Sequence, residues 1–286
     1  MLSALTVVGC GGGGDGPPHS LADGELAASA APSTQAPDAV QTRSRPAGAW
    51  LGMVGERVTF GFVLSDGSYH LLYSPPGDAQ ALAGFMHGRA SLAAGGFRSP
   101  DGRDFAFSGA PRSVEIYAAI EPGQSLIGSV SASDIAPDHA ATSPTVGDAS
   151  AGDAAPPAIG ASAGAEGDLL LRFVAYSEAP PTLPSVAGRY AAQSSLGASG
   201  TLTIDAHGAL LSEGDPNVCR LSGQLTARAD DHALDVTLAF EGPQCSHPGQ
   251  SFTGAAFFHP ASQSRLYFTV TNPVRDIGVV FVSDRT

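Results

Sequence analysis

Few residues of this 286-residue chain could do covalent or metal chemistry: there are three cysteines, eight histidines and no lysine, all 14 basic residues being arginine. Without lysine there is no Schiff-base chemistry, no Ser-Lys dyad and no P-loop cation. The histidines are His19, His70, His87, His139, His207, His232, His247 and His259. None forms His-Glu-x-x-His, and no two share a short spacing that calls for zinc. His70 sits in the alternating run Ser68–Ser74, opposite Tyr69, Leu71 and Tyr73, which places it on the solvent side of a strand. The glycines Gly11–Gly14 do not follow a strand as a phosphate cradle would. Asp101 with Asp104, and Asp230 with Asp231, are paired carboxylates, but both pairs flank turn signals, where Asp serves turn geometry. The sequence therefore assigns no catalytic residue, no metal ligand and no cofactor.

The cysteines carry the most specific signal. Val7-Val8-Gly9-Cys10, followed by Gly11-Gly12-Gly13-Gly14-Asp15, resembles the lipobox of bacterial lipoproteins with its glycine-rich tether. The resemblance implies a diacylglycerol on the Cys10 thiol, cleavage before Cys10 and acylation of the freed amine. Two or three acyl chains anchor stably, at about 0.8 kcal/mol per buried methylene, where one chain gives marginal binding. Gly11 stands where an inner-membrane retention signal would place Asp, so the resemblance implies sorting to the outer membrane. Residues 1–9 lack the positive region that opens a signal segment, and the reading is that translation starts upstream of Met1. No other stretch approaches the roughly 18 apolar residues of a spanning helix. Export to an oxidising compartment makes Cys219 and Cys245 a disulfide pair, contributing about 3.5 kcal/mol in the chain-entropy model. Each lies beside turn chemistry, Asp215-Pro216-Asn217 before one and Gly242-Pro243 before the other, so the bridge is expected to clamp loops at one end of a sheet.

The elements that must hold these residues are strands. Charged residues are only 14% of the chain, and Gly (36) and Pro (22) together exceed a fifth, a composition of turns and short strands. The net charge is −13. Much of it comes from residues 132–168, where Asp134, Asp138, Asp148, Asp153, Glu166 and Asp168 meet no arginine. An acidic chain without clustered cations is unsuited to nucleic acid. Residues 10–45 hold almost no large apolar side chains and read as a disordered tether, since they bury too little to offset their ordering entropy. From Pro46 the texture becomes period-two: Trp50, Met53, Val58, Phe60 and Phe62, then the Asp66-Gly67 hairpin, then Tyr69, Leu71 and Tyr73, the pattern of strands with one buried face. Further strands are expected at 82–94, 103–109, 112–120 and 125–131, with Pro100-Asp101-Gly102 turning the chain between two of them. The pattern lapses over 132–167, resumes at Asp168–Ala175, and after the stiff Pro180–Pro184 linker gives eight more candidates between 187 and 283.

The two apolar regions also look alike. Pro46-Ala47-Gly48-Ala49-Trp50 opens one, Val186-Ala187-Gly188-Arg189-Tyr190 the other, and Asp168–Val174 matches Asp276–Val282 at their ends. The fold class is therefore mostly β: two tandem small antiparallel barrels or sandwiches of about eight strands each, spanning 46–178, with an acidic insertion at 132–167, and 183–286. Gly48-Ala49-Trp50 resembles the Gly-x-Trp of lipocalin-type barrels, and the architecture resembles surface lipoproteins of the transferrin-binding and factor H-binding families. Those resemblances imply an envelope module, lipid-anchored through Cys10, that binds a protein, a glycan or a small apolar ligand, or acts as a spacer. A periplasmic carrier would instead require a hollow apolar barrel, and an enzyme of unrecognised type a polar cleft. An exposed cluster of Trp50, Tyr69, Tyr73 and Tyr117 would mark a contact surface; otherwise these rings are core.

Overall fold

The computed structural model describes residues 46–93, 95–132, 164–175, 179–214, 217–259 and 262–286. The lipobox with Cys10, the tether and most of the acidic insertion lie outside the described residues. The first region forms β1 (Gly48–Val54), β2 (Arg57–Val63), β3 (Ser68–Tyr73), β4 (Gly84–Arg89), β5 (Ser91–Ala93), β6 (Gly96–Ala106), β7 (Arg112–Glu121), β8 (Ser125–Ala132) and β9 (Gly167–Val174). Pairing runs β4-β3-β2-β1-β9-β8-β7-β6, and β4 also pairs with β6, so eight strands close into an antiparallel barrel with the short β5 appended to β6. After a short helix, α1 (Leu183–Val186), the second region gives β10 (Gly188–Ser194), β11 (Ser199–Ile204), β12 (Ala209–Ser212), β13 (Arg220–Ala227), β14 (Leu234–Glu241), β15 (Ser251–His259), β16 (Ser262–Thr271) and β17 (Gly278–Arg285). These eight also close into a barrel in chain order. Closure removes the unpaired edges that short antiparallel strands would otherwise expose.

Both barrels open on the same construction. Gly48 and Gly188 hold φ of +137° and +155°, a backbone region that L side chains rarely adopt. Two residues later an aromatic side chain turns inward and donates to the carbonyl four residues before it, Trp50 Nε1 to Pro46 O at 2.8 Å and Tyr190 Oη to Val186 O at 2.7 Å. In each barrel this first strand pairs with both the second and the last. Arg285, on the last strand of the second barrel, lies over the Tyr190 ring and donates to Ser185 O and Ala187 O, tying α1 across that end.

Two sequence expectations need correction. Pro100-Asp101-Gly102 does not turn the chain. β6 runs through it with a register shift between Ser99 and Gly102 against β7. Proline cannot donate to a ladder, and a bulge accommodates it while the strand continues. The second correction concerns faces. β2 and β3 are buried on both sides. Their inner faces join the first barrel's own core, around Trp50, Tyr69, Leu71 and Met86, while the second barrel has a separate core around Leu225, Phe252, Phe268 and Val279. A third cluster lies between the barrels, where Phe60, Phe62, Leu72 and Phe85 meet Ala255, Phe257, Tyr267 and Val280.

His70 belongs to that interface and not to solvent: it is 3% exposed, and its Nδ1 lies 2.8 Å from Thr269 Oγ1 of the second barrel. The alternation assigned its face correctly, but the face is covered. Polar contacts rim the apolar patch. Asp231 accepts from Ser65 N and Ser65 Oγ at 2.9 Å each, and Arg228 bridges Asp231 and Asp235 beside Asp66. On the other side Arg275, at φ +56°, donates to Asp101 O and His87 O.

Candidate functional site

A large concavity lies outside both barrels, in the angle where they meet. It is a groove of about 710 Å³. Residues 80–82, in the β3–β4 connection, and the half-exposed Phe107 line its first-barrel side. The outer faces of β10, β16 and β17 form the other. Its floor is small and smooth, with Ala191, Val280 and Val282 beside Tyr267. Period-two alternation explains this: Tyr190, Ala192, Val279 and Phe281 turn into the barrel, so their neighbours face out. Arg265 and Asp284 sit opposite each other on β16 and β17 and pair side-on, Nε–Oδ1 2.8 Å and Nη2–Oδ2 3.1 Å. A two-point pair of this kind presents a planar polar edge in a fixed orientation. Burial pushes the Tyr267 hydroxyl above its ordinary pKa, so it stays protonated at neutral pH. The groove continues into a hollow of about 380 Å³ beside Phe60 and His259, where burial first, and then Arg265, hold the imidazole below its usual range.

A buried carboxylate draws attention inside the first barrel. Asp104 is 1% exposed, and burial raises its pKa against the pull of its partners. It accepts from Tyr73 Oη at 2.5 Å, from Ala165 N at 3.0 Å and from Arg112 Nη2 at 3.3 Å, and Arg112 also meets Glu166. The network ties the entry of β9 to β6 and β7.

No protein-family model matches the sequence, and no curated protein matches it significantly.

Cys219 and Cys245 form a disulfide. It joins the entry of β13 to the β14–β15 loop, at one end of the second barrel, as the adjacent turn signals imply. Among the described residues no group of three or more His, Cys, Asp or Glu side chains could hold a metal ion, and no helix is long and apolar enough to cross a membrane. Trp50, Tyr69 and Tyr73 are fully buried, and only Tyr117 of the four rings reaches the surface, where Arg98 lies over it. Of the two acidic pairs, one member each is a buried anchor, Asp104 and Asp231, so the turn reading holds for neither of those two side chains. The groove residues Arg265, Tyr267 and Asp284 were not singled out by sequence. Their only signal is Arg265 and Asp284 standing at outward positions of the last two strands, and the pairing of those strands is what makes them neighbours.

Proposed function

We propose that this chain is a lipid-anchored envelope protein that works by recognition at its outer surface, with the groove between the barrels as its contact site. One observation carries the recognition reading: both barrel interiors are packed with their own side chains along most of their length, while a groove of about 710 Å³ lies outside them. Closed barrels with filled interiors are scaffolds, and the specificity of a scaffold lies in what it presents. The groove combines a floor of small side chains, an exposed ring at Phe107 and a fixed Arg265–Asp284 edge. Small floors admit a chain or a sugar ring closely, and a planar ion pair offers donors and acceptors side by side.

The anchor rests on the lipobox resemblance of Val7-Val8-Gly9-Cys10 and on the cysteine pair, which fits an oxidising compartment. Mass spectrometry of the mature protein from native membranes tests it, beside Cys10→Ala. The expected result is a triacylated peptide beginning at Cys10, with the variant released in soluble form. An unmodified chain that retains Met1 would sink the anchor.

A further inference from the structure

The second barrel has a closed end and an open one. α1, Tyr190 and Arg285 close the first. At the other, between the β10–β11 turn and the loops that carry Cys219 and Ser246, a cavity of about 170 Å³ reaches into the core. Leu202, Leu221, Phe240 and Phe281 wall it, with Leu196 at the rim. The residual exposure of the core falls at this end. Ala192 is 8% exposed, Phe240 5% and Phe281 4%, while Leu225, Leu234 and Leu266, toward the closed end, are fully buried. Hydroxyls ring the opening, from Ser199, Thr201, Ser212 and Ser246.

An eight-stranded barrel is just wide enough to be filled by its side chains or to hold one small ligand. Here it does the first along most of its length and leaves room for the second at its mouth. An apolar cavity of about 150 Å³ lined by Leu, Ile and Phe admits a benzene-sized guest. We propose that this mouth binds one small apolar group, a six-membered ring or an alkyl end of the same size, on a molecule whose polar part rests among the rim hydroxyls. The site lies on the other side of β10 from the groove and shares only Ala192 and Ser194 with it. β10 is the wall between them: Ala192 turns into the barrel, and Ala191 and Gln193 face outward on the other side of the strand.

The test is a titration of the full chain, methyl-labelled at leucine and valine, with benzene and separately with n-hexanol. We expect saturable shifts of the Leu196, Leu202 and Leu221 methyls, in about the millimolar range for so small a group. The Val282 methyls in the groove stay unmoved. Tm rises with probe concentration, because only the folded state binds. Ala192→Phe, which fills the mouth from inside, weakens binding by about tenfold or more. Leu196→Trp, at an exposed rim position, does the same from outside and covers the case in which the first variant fails to fold. Saturation by benzene assigns a ring as occupant, and saturation by hexanol an alkyl end. No saturable shift with either probe, or shifts unchanged in the folded variants, would overturn the proposal and leave the groove reading untouched.

Discussion

At the scale of single residues, one glycine carries the opening of each barrel, Gly48 in the first and Gly188 in the second, and the two differ in what surrounds them. A Cβ on Gly48 would stand 2.5 Å from Phe173 Cε2, whereas a Cβ on Gly188 finds nothing closer than Arg285 Nε at 3.5 Å. Both positions lie at φ values unfavourable to other residues, a strain of about 1–3 kcal/mol each. Gly48→Ala must in addition displace the Phe173 ring, which meets Trp50 edge-on at 5.5 Å. We therefore expect Gly48→Ala to cost more than Gly188→Ala by about 1 kcal/mol in urea denaturation. Trp50 is the only tryptophan, so its emission reports on the first barrel alone. It should shift to the red in the folded Gly48→Ala protein and stay put in Gly188→Ala. Equal costs with unchanged emission in both would show that Phe173 yields freely.

At the scale of elements, the disulfide and the strand pattern show how far sequence can be read. Cys219 and Cys245 were legible because an even pair beside turn residues reads as a bridge once the lipobox resemblance implies an oxidising compartment. Their bridge spans two strands that pair directly, β13 and β14, so it staples a loop end whose strands are already hydrogen-bonded. Loss of the bridge through Cys245→Ser is expected to lower stability by about 3 kcal/mol, seen as a lower Tm that reductant reproduces in the parent protein. A variant with unchanged Tm would mean that the strand pairing alone holds this end. Most strands were legible too, since period-two alternation is a local property of the chain. Faces were less so. Phe60-Gly61-Phe62-Val63-Leu64 and Val279-Val280-Phe281-Val282 are continuous apolar runs, and in an antiparallel barrel such a run means burial on both sides. Locally such a run marks a strand, and only the packing of the second barrel shows what covers its outer face. Asp104 was illegible for a different reason: nothing local separates a turn aspartate from one that meets Tyr73, Arg112 and Ala165 across the barrel. The groove was out of reach for the same cause, because it exists only where two barrels meet.

At the scale of the whole molecule, the interface between the barrels contains its own sensitivity to acid. His70 and His87 stack there at 4.4 Å between ring centroids. His70 meets Thr269, and His87 Nδ1 lies 3.0 Å from Tyr69 O, an acceptor that fixes a proton on that nitrogen. Burial holds both imidazoles down. His70 falls well below its ordinary pKa, with His87 and Arg228 adding to the effect. His87 drops to about 4, pushed further by Arg275 and opposed by Tyr69 O, Asp101 and Asp66. The unfolded chain therefore takes up protons near pH 6.5 while the folded one does not. Stability is full above that pH and is lost as pH falls toward the folded values, at about 1.4 kcal/mol per unit for each ring. Near pH 5 the two rings together cost about 4 kcal/mol, before most carboxylates begin to titrate. Denaturant midpoints followed from pH 7.5 to 5 by Trp50 emission and by far-ultraviolet circular dichroism should fall together, since the shared apolar interface couples the barrels into one unit. His70→Asn removes one titrating ring and keeps a polar group opposite Thr269. Its midpoint at pH 7.5 should lie below that of the parent, but its decline toward pH 5 should be shallower, with His87, His232 and His259 still contributing. A decline as steep as the parent's would mean that protons enter elsewhere and that the buried pair is silent.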